Sequence, residues 1–317
     1  MDRQGNVLNK EQYIGAPIER AHLHRGFNSK KTPVKWIRFF RACVMQREIA
    51  REQKSKRIKQ IWFILLGVFL CNFVAIPLNF ISETLGSIFT VIGMLTCPGL
   101  IVAGIMTYLT NKKFKKNYTE GFDFFADYFS ALFTLIEEDL QLDSKIALEA
   151  NVKDTVTEEN LIKNESYTSE TRGFISGIEK NYERVISKGS CFFNDESLIF
   201  FQFSERTRER IIKKRGSSGK RKTKHKYRAA YPFTIKMKIP KHKYQLNPTI
   251  DTSQISFAED DEYYVFKVYR KFDVKKENPD QYSPYEESSI SSFAVDYFSL
   301  EVINLINTCY SCVTPSA

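Results

Sequence analysis

The most extended apolar pattern in the chain is a pair of uncharged segments. Residues 61–81 and 85–110 contain no Asp, Glu, Lys or Arg, and only three residues separate them. The first segment has 21 residues. As an α-helix it would be about 31 Å long, which matches a bilayer hydrocarbon core of about 30 Å. The pattern therefore predicts a transmembrane hairpin of two antiparallel helices over residues 61–110.

Basic residues border this predicted hairpin on both outer sides. Arg57 and Lys59 precede it, Lys112 and Lys113 follow it, and the short link between the two segments has no cation. Positively charged loops remain on the cytoplasmic side of a bacterial inner membrane. The pattern predicts an integral, multi-pass protein of the bacterial inner (plasma) membrane with both termini cytoplasmic.

Small residues recur at a four-residue spacing within both predicted helices. Gly67 and Cys71 show it in the first segment, and Gly99 and Ala103 show it in the second. Such spacings let helix backbones approach closely in a membrane. We predict helix packing at these positions, with a pore as the alternative.

Residues 32–60 combine apolar side chains at helical spacing with cations. Thr32 and Pro33 suit the N-cap and the first position of a helix. Aromatic and basic side chains next to a membrane segment predict a helix in the headgroup plane, and a helix packed on the rest of the protein is the alternative. The expected membrane-interface residues are Trp36, Arg38, Phe40, Arg41, Arg57, Lys112 and Lys113.

The next part of the chain, residues 111–150, is predicted to be an amphipathic helix. Apolar residues recur at helical spacing from Tyr118 to Leu140, and acidic residues occupy the other face. Residues 151–171 are polar and lack periodicity, which predicts a loop or linker.

From about residue 172 the period changes from helix to strand. Residues 233–239 and 264–268 alternate between apolar and polar side chains, and residues 198–203 are apolar on both sides. The turn residues 216–219 predict a long β-hairpin, and residues 289–310 predict a final helix. After a polar N-terminal segment, residues 1–31, and the membrane hairpin, we thus predict an α+β cytoplasmic domain over residues 172–317. Its antiparallel sheet is flanked by amphipathic helices.

Composition supports a packed domain and locates the positive charge. The chain has 26 Phe and 16 Tyr, enough apolar surface for a core outside a membrane. Between Glu205 and Lys243 there are 16 Lys or Arg and two acids, a net charge of +14, whereas the whole chain carries +10. The basicity is therefore concentrated in the predicted hairpin, and the rest of the chain sums to −4.

This basic hairpin is the candidate anion-binding site. Three interpretations remain open: attraction to anionic lipid, contact with the phosphates of a nucleic acid or nucleotide, and a solvated loop or protein contact. Tyr227 and Tyr231 lie close enough in sequence to stack on a base. The candidate residues are Lys213, Lys214, Arg215, Lys220, Arg221, Lys222, Lys224, Lys226 and Arg228.

Motifs for catalysis or cofactor binding are weak. The sequence has no phosphate-binding glycine loop, nucleophile elbow or H-E-x-x-H motif, so we predict no catalytic residues and no cofactor. His22 with His24, and Cys309 with Cys312, each lack a second half at zinc-site spacing, so we predict no metal site. The six cysteines are scattered, which favours a reducing compartment.

The leading hypothesis is a non-enzymatic, membrane-tethered cytoplasmic binding module whose basic hairpin contacts an anionic partner or membrane surface. One alternative is an oligomeric, ligand-responsive membrane effector or channel subunit. Another is a membrane-bound nuclease or transferase with an unrecognised site. The expected partners are the lipid bilayer and its anionic lipids, a nucleic acid or nucleotide, and a protein partner or second copy of the chain.

Overall fold

The computed structural model describes residues 16–81, 96–141, 144–247, 255–277, 283–285 and 294–316. The chain divides into two compact units. We call His24–Arg41 with Glu120–Ala317 the sheet unit, and Met1–Leu23 with Ala42–Thr119 the helical unit. The predicted boundaries at residues 31 and 60 differ from this division, because His24–Arg41 belongs to the sheet unit.

In the part of the chain that the structure describes, the sheet unit contains an antiparallel sheet of eight strands, in the order β1-β2-β4-β5-β6-β9-β8 with β3 paired to β4. The strands are β1 (Gly26–Lys31), β2 (Ile146–Asn151), β3 (Leu161–Tyr167), β4 (Phe174–Phe192), β5 (Leu198–Arg215), β6 (Arg221–Pro240), β8 (Ile255–Glu259) and β9 (Tyr263–Asp273). Two short strands, β7 (Tyr244–Leu246) and β10 (Val313–Pro315), pair separately. The predicted α+β class with an antiparallel sheet is confirmed.

Helices cover one face of this sheet. The helices among the described residues are α1 (Ala16–His24), α2 (Pro33–Ile81), α3 (Thr96–Asn117), α4 (Gly121–Phe124), α5 (Ser130–Ile136), α6 (Val274–Glu277) and α7 (Val295–Tyr310). A π-helical turn, Phe125–Phe129, joins α4 to α5, and short 3₁₀ turns follow at Glu137–Asp139 and Glu158–Asn160. The start of α2, the α4–α5 segment and α7 pack on the sheet.

An aromatic cluster fills the space between these helices and the sheet. Phe203 of β5 is fully buried; its ring stacks on Phe124 at 5.1 Å and meets Phe298 edge-on at 5.7 Å. Phe298 also lies 5.9 Å from Phe233 and 5.4 Å from Phe272. Such aromatic pairs stabilise a core beyond the area that they bury, so this cluster joins α4 and α7 to three strands.

The alternation of β6 explains which face the helices cover. Phe233, Ile235, Met237 and Ile239 are at most 1% exposed, whereas Lys236 between them is exposed. Successive side chains of a strand point to opposite faces. One face of β6 is therefore core and the other is open, as the alternation predicts.

The start of α2 corrects part of the membrane-interface prediction. Trp36 and Phe40 are fully buried, with their rings stacked at 5.5 Å. Trp36 Nε1 donates a hydrogen bond to the Ile146 carbonyl oxygen of β2, at 2.9 Å. These two side chains are core residues of the sheet unit rather than membrane contacts, because an amphipathic helix can bury its apolar face in protein as readily as in lipid. Arg38 and Arg41 of the same helix are exposed.

In the helical unit, the small residues of the two predicted segments differ in their surroundings. A Cβ atom on Gly99 would lie 3.0 Å from Leu65 Cδ1, and Ala103 is 4% exposed, so α3 packs closely on α2 at these positions. A Cβ atom on Gly67 would meet nothing within 4 Å. The side chain of Cys71 lies outside the described part of the chain.

The predicted transmembrane hairpin is wrong. Among the described residues, we find no helix that is both long and apolar enough to cross a membrane. Residues 82–95 lie outside the described residues. The predicted integral, multi-pass localisation is wrong as well.

Large apolar side chains are nevertheless exposed on both helices of this unit. Phe63 is 77% exposed and Ile64 is 68% exposed on α2, and Ile101 is 66% exposed on α3. Arg57 of α2 and Lys112 and Lys113 of α3 are exposed as well.

The polar segment of residues 151–171 is partly a strand rather than a linker. β3 pairs with β4 along Leu161 to Tyr167, although its side chains are exposed except at its two ends. Backbone hydrogen bonds to a long neighbour hold such an edge strand without a buried face. Hydrophobic periodicity could not reveal it for that reason.

We predict that Phe203→Ala lowers the free energy of unfolding by about 3–5 kcal/mol, because it removes a fully buried ring from the aromatic cluster. Urea denaturation followed by circular dichroism measures the loss. The matched control is Phe200→Ala on the same strand. Its side chain is 38% exposed on the open face, so we expect a loss of at most about 1 kcal/mol. Equal losses would contradict this assignment of the two faces.

Candidate anion-binding site

The basic hairpin predicted from the sequence is formed by β5 and β6. Their register is continuous from Leu198 opposite Lys238 to Arg215 opposite Arg221. The turn between them closes with hydrogen bonds from the Gly219 N–H to the Gly216 oxygen, at 2.9 Å, and from the Gly216 N–H to the Lys220 oxygen, at 2.8 Å. Gly219 has φ +76°, a backbone conformation that glycine adopts without strain.

Eight cations lie at the end of this hairpin, and we call them the cationic tip. They are Lys213, Lys214, Arg215, Lys220, Arg221, Lys222, Lys224 and Lys226. In the part of the chain that the structure describes, none has an acidic group within 4.0 Å. Lys224 Nζ lies 5.3 Å from the ring centroid of Tyr285, a cation–π contact that leaves the charge in place.

The register places like charges directly opposite each other in the cationic tip. Arg215 faces Arg221, and Lys214 faces Lys222. Directly opposed like charges on neighbouring strands destabilise a sheet. The tip is therefore a region of positive potential whose repulsion a bound anion would relieve.

Both faces of the sheet carry these cations. Side chains alternate between the two faces along a strand. One face, which the helices cover nearer the core, carries Lys213, Arg215 and Arg221. Lys214, Lys222, Lys224 and Lys226 lie on the opposite, open face. The cationic tip thus presents charge in two directions.

Nearer the core, the cations of the hairpin are paired with acids. Arg210 Nε lies 2.6 Å from Glu179, and Arg206 Nη2 lies 3.0 Å from Glu183. Arg228, the ninth predicted anion-binding residue, lies 2.7 Å from Asp273. The structure therefore separates Arg228 from the cationic tip. The sequence could not show this separation, because the acidic partners lie on β4 and β9, far away along the chain.

A buried carboxylate fixes the base of the cationic tip. Glu209 is 6% exposed and accepts hydrogen bonds from the hydroxyls of Tyr182, at 3.1 Å, and Tyr227, at 3.2 Å. His225 Nδ1 lies 2.8 Å from Oε1, the same oxygen that binds the Tyr227 hydroxyl, whereas the Tyr182 hydroxyl binds Oε2. Burial favours the neutral acid, but the hydrogen bonds of His225, Tyr182 and Tyr227 outweigh it and hold the Glu209 pKa below its usual 4.5. Burial and this carboxylate raise the pKa of Tyr182 to about 12.

A second buried ion pair lies next along β5. Arg184 Nη2 is 2.7 Å from Glu205 Oε2, and both side chains are at most 14% exposed. The Thr155 hydroxyl donates to the same oxygen at 2.6 Å and lies 2.8 Å from Arg184 Nε. This group joins the segment after β2 to β4 and β5, so it supports the sheet where the aromatic cluster ends.

The two tyrosines predicted near the basic cluster are not free to stack on a base. Tyr231 is 2% exposed and stacks on Phe203 at 6.1 Å. Tyr227 is half-buried, and its hydroxyl binds Glu209. Both side chains lie on the core face of the sheet, because they are an even number of residues from Phe233 and side chains alternate along a strand.

The candidate metal ligands do not assemble into a cluster. Among the described residues, no three or more His, Cys, Asp or Glu side chains are placed to hold a metal ion. His22 is buried, and its Nε2 lies 2.9 Å from the Cys43 carbonyl oxygen. Cys309 and Cys312 are buried thiols, and burial raises the Cys309 pKa to about 12.

We predict that Glu209→Gln lowers the free energy of unfolding by about 1–3 kcal/mol at pH 7, because it replaces a buried carboxylate that has three hydrogen-bonding partners. A lowered pKa stabilises the fold above the unfolded value of 4.5, and this stabilisation is lost as the pH falls through the folded value. The difference from the wild type should therefore shrink below about pH 4.5 in urea titrations at several pH values.

The control for this experiment is Glu183→Gln, which removes a part-exposed partner of Arg206. We expect a loss under about 1 kcal/mol for such a pair. A Glu209→Gln difference that grows as the pH falls would contradict the lowered pKa.

Known proteins give no further indication of function. No protein-family model, no curated protein and no solved structure matches this chain.

Proposed function

We propose that this chain is a binding module for the phosphate backbone of a nucleic acid, which it contacts through the cationic tip. The observation that carries the proposal is the set of eight cations without acidic partners among the described residues, next to cations of the same hairpin that are paired. Arginine and lysine at such a site release counterions from a phosphate backbone when they bind it.

The two faces of the cationic tip favour a nucleic acid over a lipid surface. A flat surface would contact the cations of one face, for example Lys222 and Lys224, and leave Arg215 and Arg221 pointing away. A nucleic acid can place phosphates on both sides of a protruding hairpin, because its backbone is flexible or flanks a groove. Such a partner uses all the charges of the tip.

The chemistry of the tip supports binding rather than catalysis. Its titratable side chains are lysines and arginines, which carry charge but are not arranged as a nucleophile with a base. The Tyr227 hydroxyl donates a hydrogen bond to Glu209, and Tyr231 is buried in the core. We therefore expect phosphate contacts with little base preference.

We predict that Lys220→Glu combined with Arg221→Glu weakens binding to a labelled oligonucleotide by roughly 10- to 100-fold near 0.1 M salt. The slope of log affinity against log salt concentration should become shallower by about 2, because each lost phosphate contact contributes about 0.9. Fluorescence anisotropy at a series of salt concentrations measures both quantities.

The matched control is Lys163→Glu combined with Lys241→Glu. It changes the net charge equally, but its lysines are paired with Glu165 and Glu259 outside the tip. We expect this control to keep the wild-type salt slope. Equal losses in both variants, or wild-type binding by the tip variant, would reject the proposal. Retention on anionic lipid vesicles without oligonucleotide binding would reject it in favour of a lipid contact.

A further inference from the structure

The open face of the sheet, opposite the helices, contains a groove of about 610 Å³. Side chains of β1, β2, β4, β5, β6 and β9 line it. It lies about 30 Å along β6 from Lys226, since Lys236 is ten residues farther on and a strand rises about 3.3 Å per residue. The groove is thus separate from the cationic tip. An inference about the groove does not depend on the function proposed for the tip.

The charges of this groove are incompletely balanced. Lys188 is paired with Glu149 at 3.2 Å, and Lys238 with Asp260 at 2.9 Å. Lys236 and Lys267 have no acidic partner among the described residues. They lie directly opposite each other on β6 and β9, so their Cβ atoms are about 5 Å apart. Two such ammonium groups repel each other unless an anion lies between them.

An exposed aromatic ring lies in the same row of residues across the sheet. Phe200 of β5 is directly opposite Lys236 and is 38% exposed within the groove. Its neighbour on the other side is Ser190 of β4. Neighbouring strands lie about 4.8 Å apart. The backbone of Phe200 is therefore about 5 Å from that of Lys236 and about 10 Å from that of Lys267.

This spacing matches a small molecule with a planar ring at one end and a phosphate at the other. We propose that the groove binds a nucleotide, with its phosphate between Lys236 and Lys267 and its base on the face of Phe200. Charge-assisted hydrogen bonds from two ammonium groups are strong for a phosphate, and stacking on an aromatic ring accepts any base. Thr234, the next residue of β6 on this face, lines the groove with a hydroxyl group.

Isothermal titration calorimetry on the full chain tests this site with the four common ribonucleoside 5′-monophosphates, adenosine and inorganic phosphate as probes. We expect saturable binding of at least one monophosphate, and binding of adenosine at least 10-fold weaker than that of its monophosphate. Lys236→Gln combined with Lys267→Gln should weaken monophosphate binding at least 10-fold. Phe200→Ala should weaken it by a similar factor and leave the affinity for inorganic phosphate unchanged.

The paired lysines again provide a control, since Lys163→Gln combined with Lys241→Gln should bind the monophosphates as the wild type does. Competition with a single-stranded oligonucleotide separates a free nucleotide from one within a strand, and either result supports the site. Absence of saturable binding by all four monophosphates would overturn the proposal, as would wild-type affinity in both groove variants.

Thermal denaturation gives a second readout that checks folding of the variants. Lys267→Gln should raise the melting temperature of the ligand-free protein, because it removes the repulsion from Lys236. It should also reduce the rise in melting temperature that the monophosphate produces in the wild type. A lower melting temperature without ligand, with an unchanged response to ligand, would contradict the proposed role of the lysine pair.

Discussion

The pairing of β5 with β6 keeps one register over its whole length, from Leu198 opposite Lys238 to Arg215 opposite Arg221. Because no residue is inserted, each side chain keeps the face that its position dictates. The same strand pair therefore carries the aromatic core, the Glu209 cluster and the cationic tip in succession. A single inserted residue in either strand would move every side chain on one side of the insertion to the opposite face. Lysines would then point toward the core, and the ring of Phe203 would point toward solvent.

Beyond the helices, hydrogen-bonded polar groups take the place of aromatic packing. Glu209 and the Arg184–Glu205 pair are buried, and each is satisfied by several partners. Their carboxylates are costly to bury unless their hydrogen bonds are complete, so these groups fix geometry more than they add stability. On the opposite face of the same stretch of β5, Arg206 pairs with Glu183 and Arg210 pairs with Glu179. Among the described residues, the cations of the hairpin without an acidic partner are therefore those of the cationic tip and Lys236 on the open face.

Much of the sheet unit could be predicted from its residues, because the side chains of β6 and β9 alternate and Gly216 to Gly219 mark a turn. The basic cluster was also evident from composition. Its division into paired and unpaired cations was not, since Asp273 and Glu179 meet the hairpin only after the sheet forms. The sequence does not reveal the open-face groove, because Lys236 and Lys267 are far apart in the chain and each has the pattern of an ordinary solvent-facing residue.

An apolar stripe shows that a helix buries a face, but it does not show what covers that face. Trp36 and Phe40 at the start of α2 are buried against the sheet, whereas Phe63 and Ile64 farther along the same helix are exposed. β3 shows the converse, because backbone pairing to β4 supports it without any apolar face.

The reliance of the outer hairpin on polar contacts gives it an energetic independence from the aromatic core. Regions with few buried apolar contacts open at a lower free-energy cost than the core does. The backbone amides beyond Glu209 should therefore exchange with solvent through local opening, while those beside Phe203 exchange only when the whole unit unfolds. A partner that binds only the closed hairpin would shift this local equilibrium, so binding and ordering of the hairpin would be thermodynamically coupled.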